Sequence, residues 1–329
     1  MKVVAGASPN RSLPEFFRAG FDCPVSQVAS PNFAVKGARS VSMAATVLTT
    51  LRNTPLYRRS LKAMAAEIEE AKPDLIVNFY EPLMGVLNAV GGNRRPTLAV
   101  GHQYMLGHPT YSKVADMGGK RRAMLLYNKL VAANSAKAGL SFYPGEDLPE
   151  ARLTVVPPIL REEIFSMSPV DEGFLLVYLL NHGYSGDVIR WSGANPGKKL
   201  HCFYDKPGEP EVREHSQDLT FHRLNGPKFL EMMRRCHGVV CTAGFESISE
   251  AGWLGKRILA VPVANHFEQQ LNAVDAEQCG LATGSRTFDL GKIFEAPKPP
   301  GHLKFREWLG RAESIYGQVI DRAAGRTAS

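Results

Sequence analysis

The sequence predicts an α/β protein of two domains built on parallel sheets, and three stretches carry that prediction. The first runs from Cys236 to Ala273, CHGVVCTAGFESISEAGWLGKRILAVPVANHFEQQLNA. Its apolar run from Gly238 to Cys241 stops at Thr242-Ala243-Gly244, and a helical pattern begins at once. A second apolar run, Ile258 to Val263, follows Gly255 and ends in a polar loop. Strand, tight turn, helix and strand in that order make the βαβ unit of a parallel sheet. The second stretch is a pair of strand signals: Pro73 to Asn78, which reads as a buried strand, and the continuous apolar run Phe174 to Leu180. The third is Val156-Pro157-Pro158-Ile159, whose consecutive prolines favour an extended, semi-rigid connector. It separates a first domain, residues 1–160, from a second, residues 161–329.

The remaining elements follow in order. Lys2 to Ala5 and Val25 to Val28 read as short strands, with a short helix near Leu13 to Ala19 between them. A long helical region spans about Arg39 to Ala71, broken at Thr54-Pro55. Met84 to Val90 is helical, Pro96 to Val100 is a strand, and Lys120 to Lys137 is a helix. Leu140 to Tyr143 and Leu153 to Val156 complete the first domain as strands. In the second, Leu200 to Tyr204 and Leu219 to Leu224 are strands, Pro227 to Cys236 is a helix, and Arg306 to Arg322 is the final helix.

Composition narrows the class. A hydrophobic content of 44% and an aromatic content of 9% belong to a folded globular chain. No uncharged run reaches the length of a membrane span, and the first residues lack a signal peptide's apolar core. The five cysteines are odd in number and form no CxxC pair, so a reduced, cytoplasmic chain without a zinc site is expected. The net charge of +7 calls for an anionic partner or simply aids solubility. Nucleic acid is not the expected partner, because the basic residues do not cluster with aromatics. The helix Lys120 to Ala133 sets Lys120, Arg121, Arg122 and Lys129 beside Met124, Leu125, Leu126 and Leu130. Such a pattern allows peripheral contact with the inner face of a membrane, or an ordinary core-facing stripe.

The turn at Gly244 has the physics of an anion site. Without a Cβ, Gly244 lets a ligand approach the backbone, and the helix that starts there aims free N–H groups and its positive dipole end into the turn. Thr242 and Ser247 add hydroxyls. Glu246 and Glu250 share one helix face, with Glu250 about 6 Å further along the axis. A strand–turn–helix junction is also plain sheet architecture. The polar loop Asn265 to Gln270, at the carboxyl end of the neighbouring strand, favours a ligand site, because open α/β sheets bind ligands there.

The set Ala243-Gly244-Phe245-Glu246-Ser247-Ile248-Ser249-Glu250-Ala251, Leu254-Gly255-Lys256, Pro262, Glu268-Gln269 and Asn272-Ala273 resembles the donor-binding region of GT-B glycosyltransferases. Family 28 enzymes, including the N-acetylglucosamine transferase of peptidoglycan synthesis, are the nearest in pattern. The resemblance implies two Rossmann-like domains facing across a cleft, an acceptor domain first and a nucleotide-sugar domain second, with the final helix crossing back. It implies that Thr242, Ala243 and Gly244 form the diphosphate-binding turn, with Phe245 and Ser247 also in the donor site, that Glu250 reads the ribose hydroxyls, and that Leu224 lies beside the base. Glu268 and Gln269 would hold the donor sugar, while His266 beside them either donates to the sugar or diphosphate or packs against the loop. Two departures stand out. Cys241 and its neighbours supply no cation where part of the family has an Arg two residues before the turn. By the same resemblance the N-terminal domain is expected to lack the family's first strand and glycine-rich loop, Met1 opening on what resembles the second strand; a start set too late, a shortened protein and a different alignment of this region are the alternatives.

The implied reaction moves a hexose-type sugar from a nucleotide-diphosphate donor, UDP-linked by resemblance, to an acceptor that the sequence does not name, a lipid-linked or glycan acceptor being one option. It inverts the anomeric centre and uses neither metal nor cofactor. Glu81 and His102, at strand ends of the first domain, are the candidate bases, with a structural or acceptor-positioning role as the competing reading for each; His102 has the ordinary pKa of about 6.5 suited to base work. The alternatives are a non-catalytic nucleotide-sugar-binding or scaffold protein that needs a partner, and an epimerase or hydrolase on the same fold.

Overall fold

A computed structural model describes residues 1–9, 12–13, 17–18, 20–32, 35–36, 40–113, 119–179, 182–206, 208–295 and 301–326. The expected helix at Leu13 to Ala19 falls largely outside them, as does the start of the loop after Leu179. Two α/β units stand on either side of the Pro157-Pro158 segment. In the first, β1 (Val3–Ala7) pairs parallel with β2 (Val25–Ala29), and β3 (Val35–Lys36) and β4 (Ser40–Val41) form a small antiparallel ladder. Four parallel strands follow in spatial order: β5 (Ile76–Asn78), β6 (Thr97–Val100), β7 (Ala136–Leu140) and β8 (Leu153–Val156). The carboxyl end of β1 meets the loop after β5 so closely that a Cβ on Gly6 would lie 2.0 Å from Glu81 Oε2. Gly6 is therefore fixed by that approach.

The second unit is one seven-stranded sheet. Its elements are β9 (Leu175–Leu179), β10 (Leu200–Tyr204), β11 (Val212–Ser216), β12 (Leu219–Arg223), β13 (Gly238–Cys241), β14 (Arg257–Ala260) and β15 (Thr283–Gly284). They lie in the order β11-β12-β10-β9-β13-β14-β15, and only β11 runs antiparallel. Strands β9 and β13 sit centrally and are buried on both faces, which explains their unbroken apolar sequences. The order reverses at β9, whose neighbours are β10 on one side and β13 on the other. The carboxyl end of β13 thus lies at the switch point where such sheets take ligands.

Three expectations shift. The helix read as Lys120 to Lys137 is Gly119–Val131, ended by Asn134 in the left-handed region at φ 53°. Its supposed last turn is strand β7, Ala-Lys-Ala-Gly-Leu, whose small residues suggested helix. At Gly139 space demands the small residue, since a Cβ there would lie 2.6 Å from Met105 Sδ. The final helix is two, His302–Leu309 and Ala312–Ala323, parted at Gly310-Arg311. The second of these packs Val319 against Leu98, Val100, Ala138 and Val156 of the first sheet. Tyr316 donates to Pro157 O at 2.6 Å, and Trp308 Nε1 donates to Ser141 O at 2.9 Å. The end of the chain is thereby anchored on the first unit.

Candidate functional site

The turn after β13 is strained at one residue. Ala243 takes φ 54°, a conformation that costs a residue bearing a Cβ about 1 kcal/mol or more. Asn272 Nδ2, fully buried, holds it by donating to Ala243 O at 2.9 Å. Gly244 has an ordinary φ of −69° and N-caps the helix Phe245–Trp253 with no side-chain cap bond. A Cβ placed there would meet only Ser247 Oγ, at 3.8 Å. Neither backbone nor protein packing requires glycine at this position, so the space it leaves is free for a ligand against a helix start whose N-cap residue offers no side chain; of the first-turn N–H groups, that of Glu246 is met by the residue's own carboxylate.

Glu250 is buried at 5% exposure, and both its oxygens are taken. Arg161 donates from Nε to Oε1 at 2.6 Å and from Nη2 to Oε2 at 2.7 Å, and from Nη1 to Gly226 O at 3.3 Å. The residue that closes the proline connector therefore sits in the predicted nucleotide seat, between Glu250 and the segment Leu224-Asn225-Gly226. Leu224 is exposed there. Sequence reasoning missed Arg161. The one signal was its being the first cation after the prolines, where a connector residue needs no explanation.

The loop after β14 divides its polar residues. His266 N-caps the helix Phe267–Gln278, its ring accepting from Gln269 N at 3.4 Å. Gln269 is buried and turns back on its own loop, Oε1 accepting from Val263 N at 2.8 Å. Glu268 instead points across to the first unit and hydrogen-bonds Gln103; burial raises its pKa. Glu246, in the first turn of the Gly244 helix, lies within electrostatic reach of both Glu268 and Glu250. The site thus gathers three carboxylates and one arginine around a helix N-terminus.

Opposite them, Tyr80 takes φ 58° and donates to Asn128 Oδ1 at 2.5 Å, while Asn128 Nδ2 donates to Gln103 O at 2.6 Å. The Tyr80 ring lies 5.6 Å from that of Tyr104 and 5.9 Å from that of Tyr127. Glu81 caps the helix Pro82–Ala89, its Oε1 accepting from Leu83 N at 3.0 Å and from Ser30 Oγ at 2.6 Å. Burial raises its pKa against the lowering effect of those bonds. Glu81 is thus a carboxylate at the carboxyl end of β5, half-buried and biased toward taking a proton.

His102 and Phe245 are placed differently from expectation. His102 is 2% exposed and donates from Nδ1 to Leu140 O at 2.7 Å. Its ring stacks on Phe245 at 4.3 Å, and Phe245 in turn stacks with Phe142 at 4.5 Å. Burial holds its pKa down to about 4. Nε2 lies 3.6 Å from Oδ2 of Asp275, which is fully buried and accepts from Tyr111 OH at 2.5 Å. Burial pushes the Asp275 carboxyl up to about 7. His102 and Phe245 therefore weld the two units together beneath the cleft rather than lining it. In the helix Gly119–Val131, Met124 and Leu125 pack against Met105, Leu106 and Tyr111, while Leu126 and Leu130 remain exposed.

Two parallel α/β units, meeting with a helix N-terminus at the switch point of the second, define the two-domain GT-B fold. The family model described as Glycosyl transferase family 1 matches residues 13–295, and the chain belongs to that family. It is a glycosyltransferase. No curated protein matches the sequence. Among solved structures it is similar to the glycotransferase of kitacinnamycin, with 16% identity, TM-score 0.63, and coverage of 98% of this chain and 92% of that one. CalG4, the calicheamicin glycosyltransferase, is 14% identical with TM-score 0.59, covering 100% and 92%. UGT89C1 of Arabidopsis thaliana complexed with UDP is 14% identical with TM-score 0.60, covering 99% and 92%. Likeness at these identities establishes a shared fold. No helix among the described residues is long and apolar enough to cross a membrane.

Proposed function

We propose that the chain binds a nucleotide-diphosphate sugar at the turn Thr242-Ala243-Gly244 and transfers the sugar, with inversion, to a hydroxyl presented by the first unit. The observation that carries this reading is the helix start at Gly244, open where a Cβ would stand, with a buried carboxylate further along the same helix. The diphosphate would take the N–H groups of the turn, displacing the Glu246 carboxylate from its own N–H, and they would stabilise the charge that grows as the nucleotide leaves. Glu250 would accept from the ribose once Arg161 releases it, and Arg161 would then supply the cation that Cys241 does not. Glu268 would hold the donor sugar. Glu81 is the better candidate for the base, since His102 is buried away from the cleft.

UDP is the first donor nucleotide to try, because UGT89C1 was captured both with UDP and with UDP-L-rhamnose. The likeness to family 28 favours a lipid-linked or glycan acceptor; UGT89C1 complexed with quercetin shows the fold with a small aromatic molecule instead. Metal independence belongs to the same proposal: turnover with excess chelator should match turnover without it.

The test is thermal unfolding with UDP, GDP and dTDP, comparing wild type with Glu250→Ala. A nucleotide at a hundred times its dissociation constant adds about 2.7 kcal/mol. Stabilisation by one nucleotide, lost in Glu250→Ala, supports the site. No stabilisation by any of them refutes it.

A further inference from the structure

We infer that the outer face of the helix pair Met43–Arg52 and Thr54–Ala71 docks on an anionic lipid bilayer. The inner face of the pair is ordinary core: Tyr57, Ser60 and Met64 are buried, and both hydrophobic residues pack with Val28, Leu83, Met84 and Leu87. The outer face is not an ordinary surface. Val47, Leu48 and Leu51 are 54%, 70% and 67% exposed, and their spacing puts them on one side of the first helix. Leu56 is exposed just beyond the break, followed by exposed Arg58, Arg59 and Lys62, with exposed Arg52 between the two groups.

The charge pattern selects the occupant. No Asp or Glu occurs between Asp22 and Glu67, a stretch that holds six cations: Lys36, Arg39, Arg52, Arg58, Arg59 and Lys62. Exposed aliphatic side chains beside cations, with no acid among them, suit a surface whose headgroups are anionic and whose interior is apolar. Nucleic acid would satisfy the cations and leave the aliphatic residues in water. A second copy of the same face would set cation against cation. The helix Gly119–Val131 offers less, because part of its apolar stripe is already packed inward. The docking face shares no residue with the proposed donor site and stands whether or not a nucleotide binds there.

The experiment is co-sedimentation of the full chain with vesicles of equimolar phosphatidylglycerol and phosphatidylcholine, and with phosphatidylcholine alone. Binding is expected to the anionic vesicles only. Each cation near such a surface is worth roughly fivefold in affinity, so Arg58→Ala/Arg59→Ala/Lys62→Ala should lose about a hundredfold. Leu48→Asp/Leu51→Asp should abolish sedimentation while its circular-dichroism melting curve stays that of wild type, since both side chains are exposed. Absence of wild-type binding, or undiminished binding by Leu48→Asp/Leu51→Asp, overturns the proposal. So does a wild-type dimer in gel filtration that this variant dissociates without any vesicle binding, which would make the face an interface between copies.

Discussion

Arg161 grips both oxygens of Glu250, one at 2.6 Å and one at 2.7 Å, and so ties the connector between the two units to the helix that begins at Gly244. The pair sits where a ribose is expected to be read. A nucleotide that uses Glu250 must displace the guanidinium, and the two events are then thermodynamically linked. Arg161→Ala frees the carboxylate but removes the one cation that contacts it among the described residues. Binding of the bare nucleoside should tighten, because it needs only the carboxylate; binding of the diphosphate should weaken about tenfold if Arg161 turns to the phosphates. Calorimetric titration with uridine and with UDP separates the two effects. Equal changes for both ligands would mean that Arg161 contributes only to the connector.

The buried pair His102 and Asp275 makes opposite contributions to the pH dependence of stability. His102 is held near 4 against an ordinary 6.5, so between those values the unfolded chain binds more protons and stability rises with pH. Asp275 is pushed to about 7 from 3.8, so over that range the folded chain binds more protons and stability falls as pH rises. Wild type should change little between pH 4.5 and 6.5 on account of this pair. Asp275→Asn, which keeps an acceptor for Tyr111, should gain stability with rising pH across that range. His102→Gln should lose it. Each slope is at most about 1.4 kcal/mol per pH unit. Urea unfolding at the two pH values checks the sign for each variant.

Glu81 and His102 separate by what their loss does. Glu81→Gln keeps an amide oxygen for Leu83 N and Ser30 Oγ, so the helix cap survives while the proton acceptor goes. The expected loss is a hundredfold or more in kcat, typical of a general base, with a melting temperature near that of wild type. His102→Ala removes a ring stacked at 4.3 Å on Phe245 inside the contact between the units. It should cost about 3 kcal/mol of stability and leave kcat within a few fold at a temperature where the variant is folded. The reverse pattern would restore His102 as the base.

Much of this was legible in the sequence, and the failures share a cause. The strand Gly238–Cys241 and the turn after it are local: apolar runs, a glycine and a helical period lie within a few residues of one another. The carboxyl-end placement of Glu81 and Glu268 followed from those strands. What could not be read was contact across the chain. Arg161 and Glu250 are separated by 89 residues, and nothing in either neighbourhood announces the other. His102 looked catalytic because a histidine at a strand end is so often exposed; its burial depends on Phe245, a residue of the other unit. Strand β7 was lost to its own alanines, whose helical propensity is overruled by parallel pairing with Leu98–Val100 on one side and Leu153–Val156 on the other.

Gly244→Ala isolates the ligand from the fold. The backbone at this position, φ −69° and ψ 134°, is open to any residue, and the added methyl meets only Ser247 Oγ at van der Waals distance. The fold should therefore lose no more than the preference of an N-cap for glycine over alanine, about 0.5–1 kcal/mol. A phosphate seated on the N–H groups of this turn would meet the methyl directly, so UDP affinity should fall at least tenfold. Titration of UDP into both proteins, beside their melting curves, measures the two quantities independently. An unchanged affinity would place the diphosphate elsewhere, even if Glu250→Ala abolishes binding.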